Sequence, residues 1–480
     1  MRRRVYAVGV FLGLVPAVWA APLDTMANYL AKKDSSYQWR IIDQRVVSPQ
    51  VSHSEMIVTS QTWRGMDWHH RVQVYYPKDM GEVHHAFLLI SGGNWDDERE
   101  KAREERLRKE REEREAGKAP VTQPRGNMEF DEGTMASMIV NLIKMPVAVL
   151  NNVPRQPIFD GKTEDAIISY TFEKYVETGD PEWPLLLPMT KSAVRCMDAL
   201  QEMAKKEWKT ELKGFIVAGG SKRGWTTWLT AAMDKRVVAC APAVIDVLNM
   251  PVQMKHQLAT WGKYSEMIND YTMRGIQDKM DTPRGKELLR IVDPYSYREK
   301  VTMPKMLIFG TNDRYWPLDA CNIYWNDLVG DKYLLYIPNK GHAAIDIPRL
   351  LANCGAMALL GAGKVQFPKM TWQLDATDKG LTLRVKADKP AKRMWAWITD
   401  APTRDFREAK WRSQPMTEAD GEYVYELPMP ESGYAAMFGE GLFSLGDPYS
   451  VYLSTNVKII GPGPRTPSTS EPPAQSTEAK

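Results

Sequence analysis

Twenty residues, Lys213-Gly-Phe-Ile-Val-Ala-Gly-Gly-Ser221-Lys-Arg-Gly-Trp-Thr-Thr-Trp-Leu-Thr-Ala-Ala232, restrict the fold more than any other stretch of this chain. The apolar run Phe215 to Ala218 suits a strand covered on both faces, while Trp225, Trp228, Leu229 and Ala232 recur at helical spacing. The pattern predicts a strand, a glycine corner and a helix, with Ser221 at the junction. A serine placed there projects its hydroxyl from the carboxyl edge of a parallel sheet. The helix N-terminus beneath it offers free N–H groups and a positive dipole end. Such a position suits a nucleophile whose product is an oxyanion. An N-cap serine is the plainer alternative. The stretch also departs from Gly-x-Ser-x-Gly: Arg223 stands two after the serine, and Gly224 one later.

The 480 residues of the chain leave room for two or three domains. Met1-Arg-Arg-Arg4, an apolar run from Val5 to Val18 and Ala20 before Ala21-Pro have the form of a secretory leader cleaved after Ala20. An exported protein, periplasmic or secreted, is expected. The apolar run is shorter than the roughly 20 residues a spanning helix needs, so no stable membrane span should remain after cleavage. Without the leader, basic and acidic side chains balance at 60 each, which gives no pointer to nucleic acid or an anionic membrane. Cys196, Cys240, Cys321 and Cys354 are widely spaced; they either pair in one of three ways or serve as small buried hydrophobes.

Short alternating runs in residues 36–80 suit antiparallel strands at a sheet edge. His84 to Ile90 is a continuous apolar strand ending in Ser91-Gly-Gly-Asn-Trp95, a second glycine corner whose N–H groups at Gly92 and Gly93 suit an oxyanion hole with that of Lys222. From Asp96 to Glu115, 18 of 20 residues are charged, with Glu104/Arg108, Glu105/Lys109 and Glu110/Arg114 at i,i+4. A solvated helix that buries nothing is expected there, as a surface insertion or a mobile flap. Helices over 133–144 and 191–206 then alternate with strands over 147–150 and 237–245, as a right-handed parallel sheet requires. Residues 247–300 break the alternation; Met250, Met254, Trp261, Tyr264, Met267, Tyr271 and Met273 suggest a helical cap over a pocket. Alternation resumes with the strand 305–309, a helix around Cys321 to Leu328, the strand 333–337 and a last helix.

Three residues stand at strand ends in the order serine, acid, histidine: Ser221, Asp313 and His342. Seven histidines occur, and only His342 follows Asp313. Asp246, also at a strand end, is the rival acid. Three suitable residues in the required order are far more specific than any one of them. Glycine-loop nucleotide motifs and His-Glu-x-x-His are absent from the sequence, so no cofactor or metal is implied.

Gly219 to Ala232, Val244-Ile-Asp-Val-Leu-Asn-Met250, Asp293-Pro-Tyr-Ser-Tyr297 and Pro338-Asn-Lys-Gly-His342 resemble the PhoPQ-activated pathogenicity-related (PqaA-type) family of exported α/β-hydrolase-like proteins, over about Tyr37 to Tyr452. The resemblance accounts for Arg223, since the family elbow reads Gly-x-Ser-Lys-Arg-Gly; it does not supply a substrate.

The combined expectation is an α/β-hydrolase fold over residues 21–366, carrying a charged insertion at 96–118 and a helical cap at 247–300. Alternating runs such as Met370 to Leu374, Leu381 to Val385 and Tyr423 to Leu427 then predict an immunoglobulin- or fibronectin-like β-sandwich over 367–460, suited to a surface partner. A Pro/Ser/Thr-rich tail at 461–480 cannot bury a core. The expected activity is that of a serine hydrolase on an ester, amide or peptide. The alternative is a non-catalytic secreted binding or signalling protein on the same fold.

Overall fold

The computed structural model describes residues 22–117 and 132–461; the leader and the tail beyond Gly461 lie outside the described residues. Helix α1 (Pro22–Ala31) leads into three long antiparallel strands, β1 (Gln38–Ser48), β2 (Val51–Trp63) and β3 (Met66–Pro77). There follow β4 (His85–Ile90), α2 (Asp97–Glu115), α3 (Glu132–Ile143), β5 (Val147–Leu150), α4 (Glu164–Thr178), α5 (Leu186–Met203), β6 (Gly214–Gly220), α6 (Lys222–Met233) and β7 (Val237–Ala243). Helices α7 (Met250–Trp261), α8 (Asn269–Thr272), α9 (Ile276–Lys279) and α10 (Pro283–Val292) form the interruption before β8 (Lys305–Gly310), β9 (Lys332–Ile337) and α11 (Ile347–Gly361). The strands lie in the order β1-β2-β3-β5-β4-β6-β7-β8-β9, parallel from β5 onward. This is the α/β-hydrolase arrangement, with β6 and α6 at its centre.

The two faces of the sheet can be read from single strands. Phe215 and Val217 of β6 point into the core formed with α4, α5 and α6, while Ile216 and Ala218 point into the core formed with α3 and α11. Leu307 and Phe309 of β8 alternate in the same way with Met306 and Ile308. A period of two that is apolar at every position fits only a strand covered on both sides. Helix ends follow the local chemistry. Thr282 caps α10 by accepting from Gly285 N, ahead of Pro283 at the first helical position, and Asp346 caps α11 by accepting from Arg349 N.

The C-terminal chain folds as two antiparallel sheets. One holds β10 (Met370–Ala376), β11 (Gly380–Ala387), β14 (Thr417–Ala419) and β15 (Glu422–Pro428). The other holds β12 (Arg393–Ala401), β13 (Arg412–Pro415), β16 (Tyr434–Ser444), β17 (Ser450–Ser454) and β18 (Lys458–Ile460), and it joins the edge of the central sheet where Ser454 of β17 pairs with Leu334 of β9. Leu383, Met437 and Phe443 share one apolar core with Met357 of α11. A buried Glu440 accepts from Nε and Nη2 of Arg349, at 2.9 and 2.8 Å, which ties β16 to α11.

Two expectations need correction. The charged segment is helical, but it does not stand clear of the core. Leu107 is 3% exposed and packs with Ile42, Ile57 and Trp95. Arg103 grips the fully buried Glu55 with two bonds of 2.9 Å, Arg114 reaches the buried Asp43 at 2.5 Å, and Arg40 takes Glu104 away from its helical partner. Only Glu105–Lys109 of the three foreseen i,i+4 pairs forms. The sheet surface beneath α2 is itself charged, so long arginines do the docking that apolar side chains do elsewhere. Residues 321–328, expected as a helix, fall in two short 3₁₀ turns, Ala320–Ile323 and Trp325–Asp327. The Asn322 side chain there donates to Val457 O and accepts from Asn456, while its main-chain N–H closes a 3₁₀ turn on Asp319 O.

Candidate active site

Ser221 follows the last residue of β6 and precedes the first of α6 with φ 57° and ψ −128°, a strained conformation for a residue with a side chain. The turn is held on both sides: Ser221 N donates to Ala243 O at 2.9 Å, and Ser221 O accepts from Trp225 N at 3.0 Å. It closes only because its neighbours lack Cβ atoms. A Cβ on Gly219 would meet Arg223 O at 2.7 Å, and one on Gly224 would meet Ile245 Cγ2 at 2.7 Å and Ala243 O at 2.8 Å. That is the physical reason the glycine falls at 224, while position 223 can carry a side chain.

His342 lies in the loop after β9, and its Nδ1 is 2.8 Å from Asp313 Oδ2 in the loop after β8. The other carboxylate oxygen of Asp313 accepts from Tyr315 N at 2.8 Å. Asp313 is 8% exposed, so its partners are fixed rather than exchanged with water. A carboxylate only accepts, which puts the hydrogen on Nδ1 and leaves Nε2 of His342 as the basic nitrogen. That Nε2 is buried and has no hydrogen-bond partner among the described residues. The Tyr315 ring lies 4.1 Å from the imidazole, inclined by 30°. Ser221 and His342 line the same cavity, without a hydrogen bond joining them in this state.

Asp246 sits elsewhere in the network. It is buried and accepts from Tyr324 OH at 2.5 Å. Burial pushes its carboxyl up to about 8, with the Asp313 charge adding to the effect and the Tyr324 bond opposing it. A carboxyl in that environment keeps its proton at neutral pH.

Lys222, the first residue of α6, has a main-chain N–H with no carbonyl one turn back inside its helix. Its side chain, 6% exposed, pairs with Glu164 at 2.8 Å and Asp165 at 3.4 Å. Arg223 binds Glu164 through two bonds of 2.8 and 2.7 Å and donates to Val153 O at 2.6 Å. Burial works against ionisation of Glu164, but Arg223 and Lys222 outweigh it and hold the carboxyl at about 2. Gly92 lies under Arg223, where a Cβ would meet the guanidinium at 2.4 Å; Gly93 has φ 110°. Neither glycine is among the residues lining the cavity.

Sequence reasoning missed the pair Glu164-Asp165 at the start of α4. Asp165 accepts from Tyr271 OH at 3.1 Å and Tyr315 OH at 3.4 Å, joining α8, the Asp313 loop and the serine elbow at one carboxylate. Residues 404–411 of the C-terminal region were missed as well. Asn312 Nδ2 donates to Ala409 O at 2.7 Å, and Asn339 exchanges two bonds with Trp411, so this segment braces both loops that carry Asp313 and His342. No periodicity marks either feature. The other histidines lead away from the cavity: His53 and His70 are buried in β2 and β3, and His256 pairs with Asp319 at 2.7 Å. The four cysteines are free.

Comparison with known proteins adds relatives to this geometry. The model of the PhoPQ-activated pathogenicity-related protein family matches residues 26–407. Autocrine proliferation repressor protein A of Dictyostelium discoideum is 30% identical over 496 residues, covering 94% of this chain and 92% of that one. Acetyl esterase Axe7A of Xylanibacter ruminicola is 24% identical over 151 residues, 32% of this chain and 31% of its own. Among solved structures, an acetyl xylan esterase from Paenibacillus sp. R4 aligns with a TM-score of 0.44 at 13% identity, over 67% of this chain and 87% of that chain.

Proposed function

The chain belongs to the PhoPQ-activated pathogenicity-related protein family, and we propose that this member is an exported serine hydrolase that cleaves an ester through Ser221, His342 and Asp313. The observation that carries the reading is the imidazole of His342, bonded to Asp313 on one side and turned to the cavity of Ser221 on the other. The partial similarity to an acetyl esterase supports an ester over an amide or peptide. Export rests on the leader at residues 1–20; none of the described helices is long and apolar enough to cross a membrane.

In the proposed reaction, Ser221 Oγ attacks the ester carbonyl carbon as His342 Nε2 takes the hydroxyl proton. Asp313 holds the ring in the productive tautomer and stabilises the imidazolium. The N–H of Lys222 holds the oxyanion, with the α6 dipole adding to it. The C–O bond then breaks, and the alcohol leaves with the proton from His342. Water, deprotonated by the same nitrogen, releases the acid and restores Ser221.

A fluorophosphonate probe should label the protein, and Ser221→Ala should abolish both labelling and ester turnover while leaving the melting temperature nearly unchanged. Turnover that persists in the variant sinks the nucleophile assignment. A second reading, a secreted signalling protein, draws on the relative named as a proliferation repressor. Signalling activity retained by Ser221→Ala would favour it.

A further inference from the structure

The cavity that Ser221 and His342 share is walled by hydrocarbon. Trp225 of α6, Phe172 of α4, Met250 and Met254 of α7, Met280 after α9 and Leu288 of α10 all face it. Its charged lining is tied up in bonds: Lys222 and Asp165 are paired at 3.4 Å, Asp165 is further capped by two tyrosine hydroxyls, and Lys279 Nζ donates to Arg274 O at 2.9 Å. Its shape is set by the cap helices. They are fixed by Asp293, whose carboxylate accepts from Asn249 N and Met250 N, and by Arg274 on Glu173 at 2.5 Å. Unbranched methionines on that side can follow the contour of a flexible chain.

We propose that this cavity holds the acyl part of the substrate, and that the acyl part is a medium-chain hydrocarbon rather than acetyl. The inference rests on the serine hydrolase reading. An acetyl group has one methyl to bury and would leave most of this wall unfilled, whereas a longer chain removes it from water. The acyl group also stays on Oγ between the two half-reactions. An apolar cavity suits the part that stays, while the alcohol must depart toward solvent. Buried hydrocarbon is worth about four-fold in binding per methylene, so chain length is a sensitive reporter.

The test is kcat/KM for p-nitrophenyl acetate, butyrate and octanoate with the full-length exported protein, its Ser221→Ala variant and Met254→Trp. The octanoate-to-acetate ratio should be about 100 or more in the native protein. In Met254→Trp, whose indole fills the cavity, that ratio should fall at least ten-fold. Leu288→Trp serves as a second filling variant if the first fails to fold. Turnover that depends on Ser221 but favours acetate overturns the acyl assignment and leaves the hydrolase reading standing. Octanoate preference that survives Ser221→Ala does the reverse. If no ester is turned over, calorimetric titration of octanoate into Ser221→Ala decides. Saturable binding lost on adding Met254→Trp keeps the cavity assignment, and absence of binding overturns it.

Discussion

Asp246 and Asp313 end neighbouring parallel strands or the loops just past them, both are buried, and yet the fold gives them opposite chemistry. Asp313 is bonded to an imidazole and a main-chain N–H, whereas Asp246 is bonded to a tyrosine hydroxyl deep in the core. A carboxylate facing a group that can become a cation is of use in its charged form. One shut in the core with no cation beside it is pushed toward its neutral form by burial, even against the bond from Tyr324. Position at a strand end therefore does not assign a catalytic acid; the partner does.

The strongest way to break this comparison is Asp313→Asn. The amide keeps the shape but would leave His342 in the wrong tautomer, and the corresponding loss in a serine protease triad is about 10⁴ in kcat, roughly 5 kcal/mol on the barrier. Near-normal kcat for this variant, with a severe loss in Asp246→Asn, would reverse the two roles.

A third carboxylate sharpens the contrast by having a purely structural partner. Glu55 is fully buried under α2 and held by Arg103. Arg103→Ala should destabilise the protein by about 3 kcal/mol in denaturant titration, because it strands a buried charge, while kcat changes little. An unchanged midpoint would return α2 to the status of surface ornament.

The smallest effect is expected at Asp246→Asn, with kcat within about ten-fold of the native value. Its signature is the pH dependence of stability. The folded carboxyl titrates at about 8 against 3.8 for an unperturbed one, so the folded state binds the proton more tightly. Its contribution is complete below about 4 and is lost as pH rises toward 8. The amide has no such loss, so the melting temperature of Asp246→Asn should gain on the native protein steadily from pH 4 to 8. A difference that stays flat over that range would show that Asp246 is not held neutral.

Much of the architecture was legible because it is periodic. The all-apolar run of β6, the alternating strands of residues 36–80 and the amphipathic α6 each announce themselves within a dozen residues. The charged insertion was misread for the same reason. Periodicity registers apolar faces, and α2 docks through arginines on carboxylates of β1 and β2 that lie 71 and 48 positions away in sequence, respectively.

Local sequence was enough to specify the serine elbow, the succession of strand ends carrying Ser221, Asp313 and His342, and the apolar character of the segment that covers them. These depend on residues close together in the chain or on their order along it. Long-range packing selects which acid meets His342, gathers Lys222, Tyr271 and Tyr315 at Asp165, and braces Asn312 and Asn339 with the C-terminal region. Those contacts join groups tens to more than a hundred residues apart, and the hydrogen bonds that fix them have no repeat. They exist because burial leaves each polar atom to find its partner among the neighbours the packed layers happen to bring near.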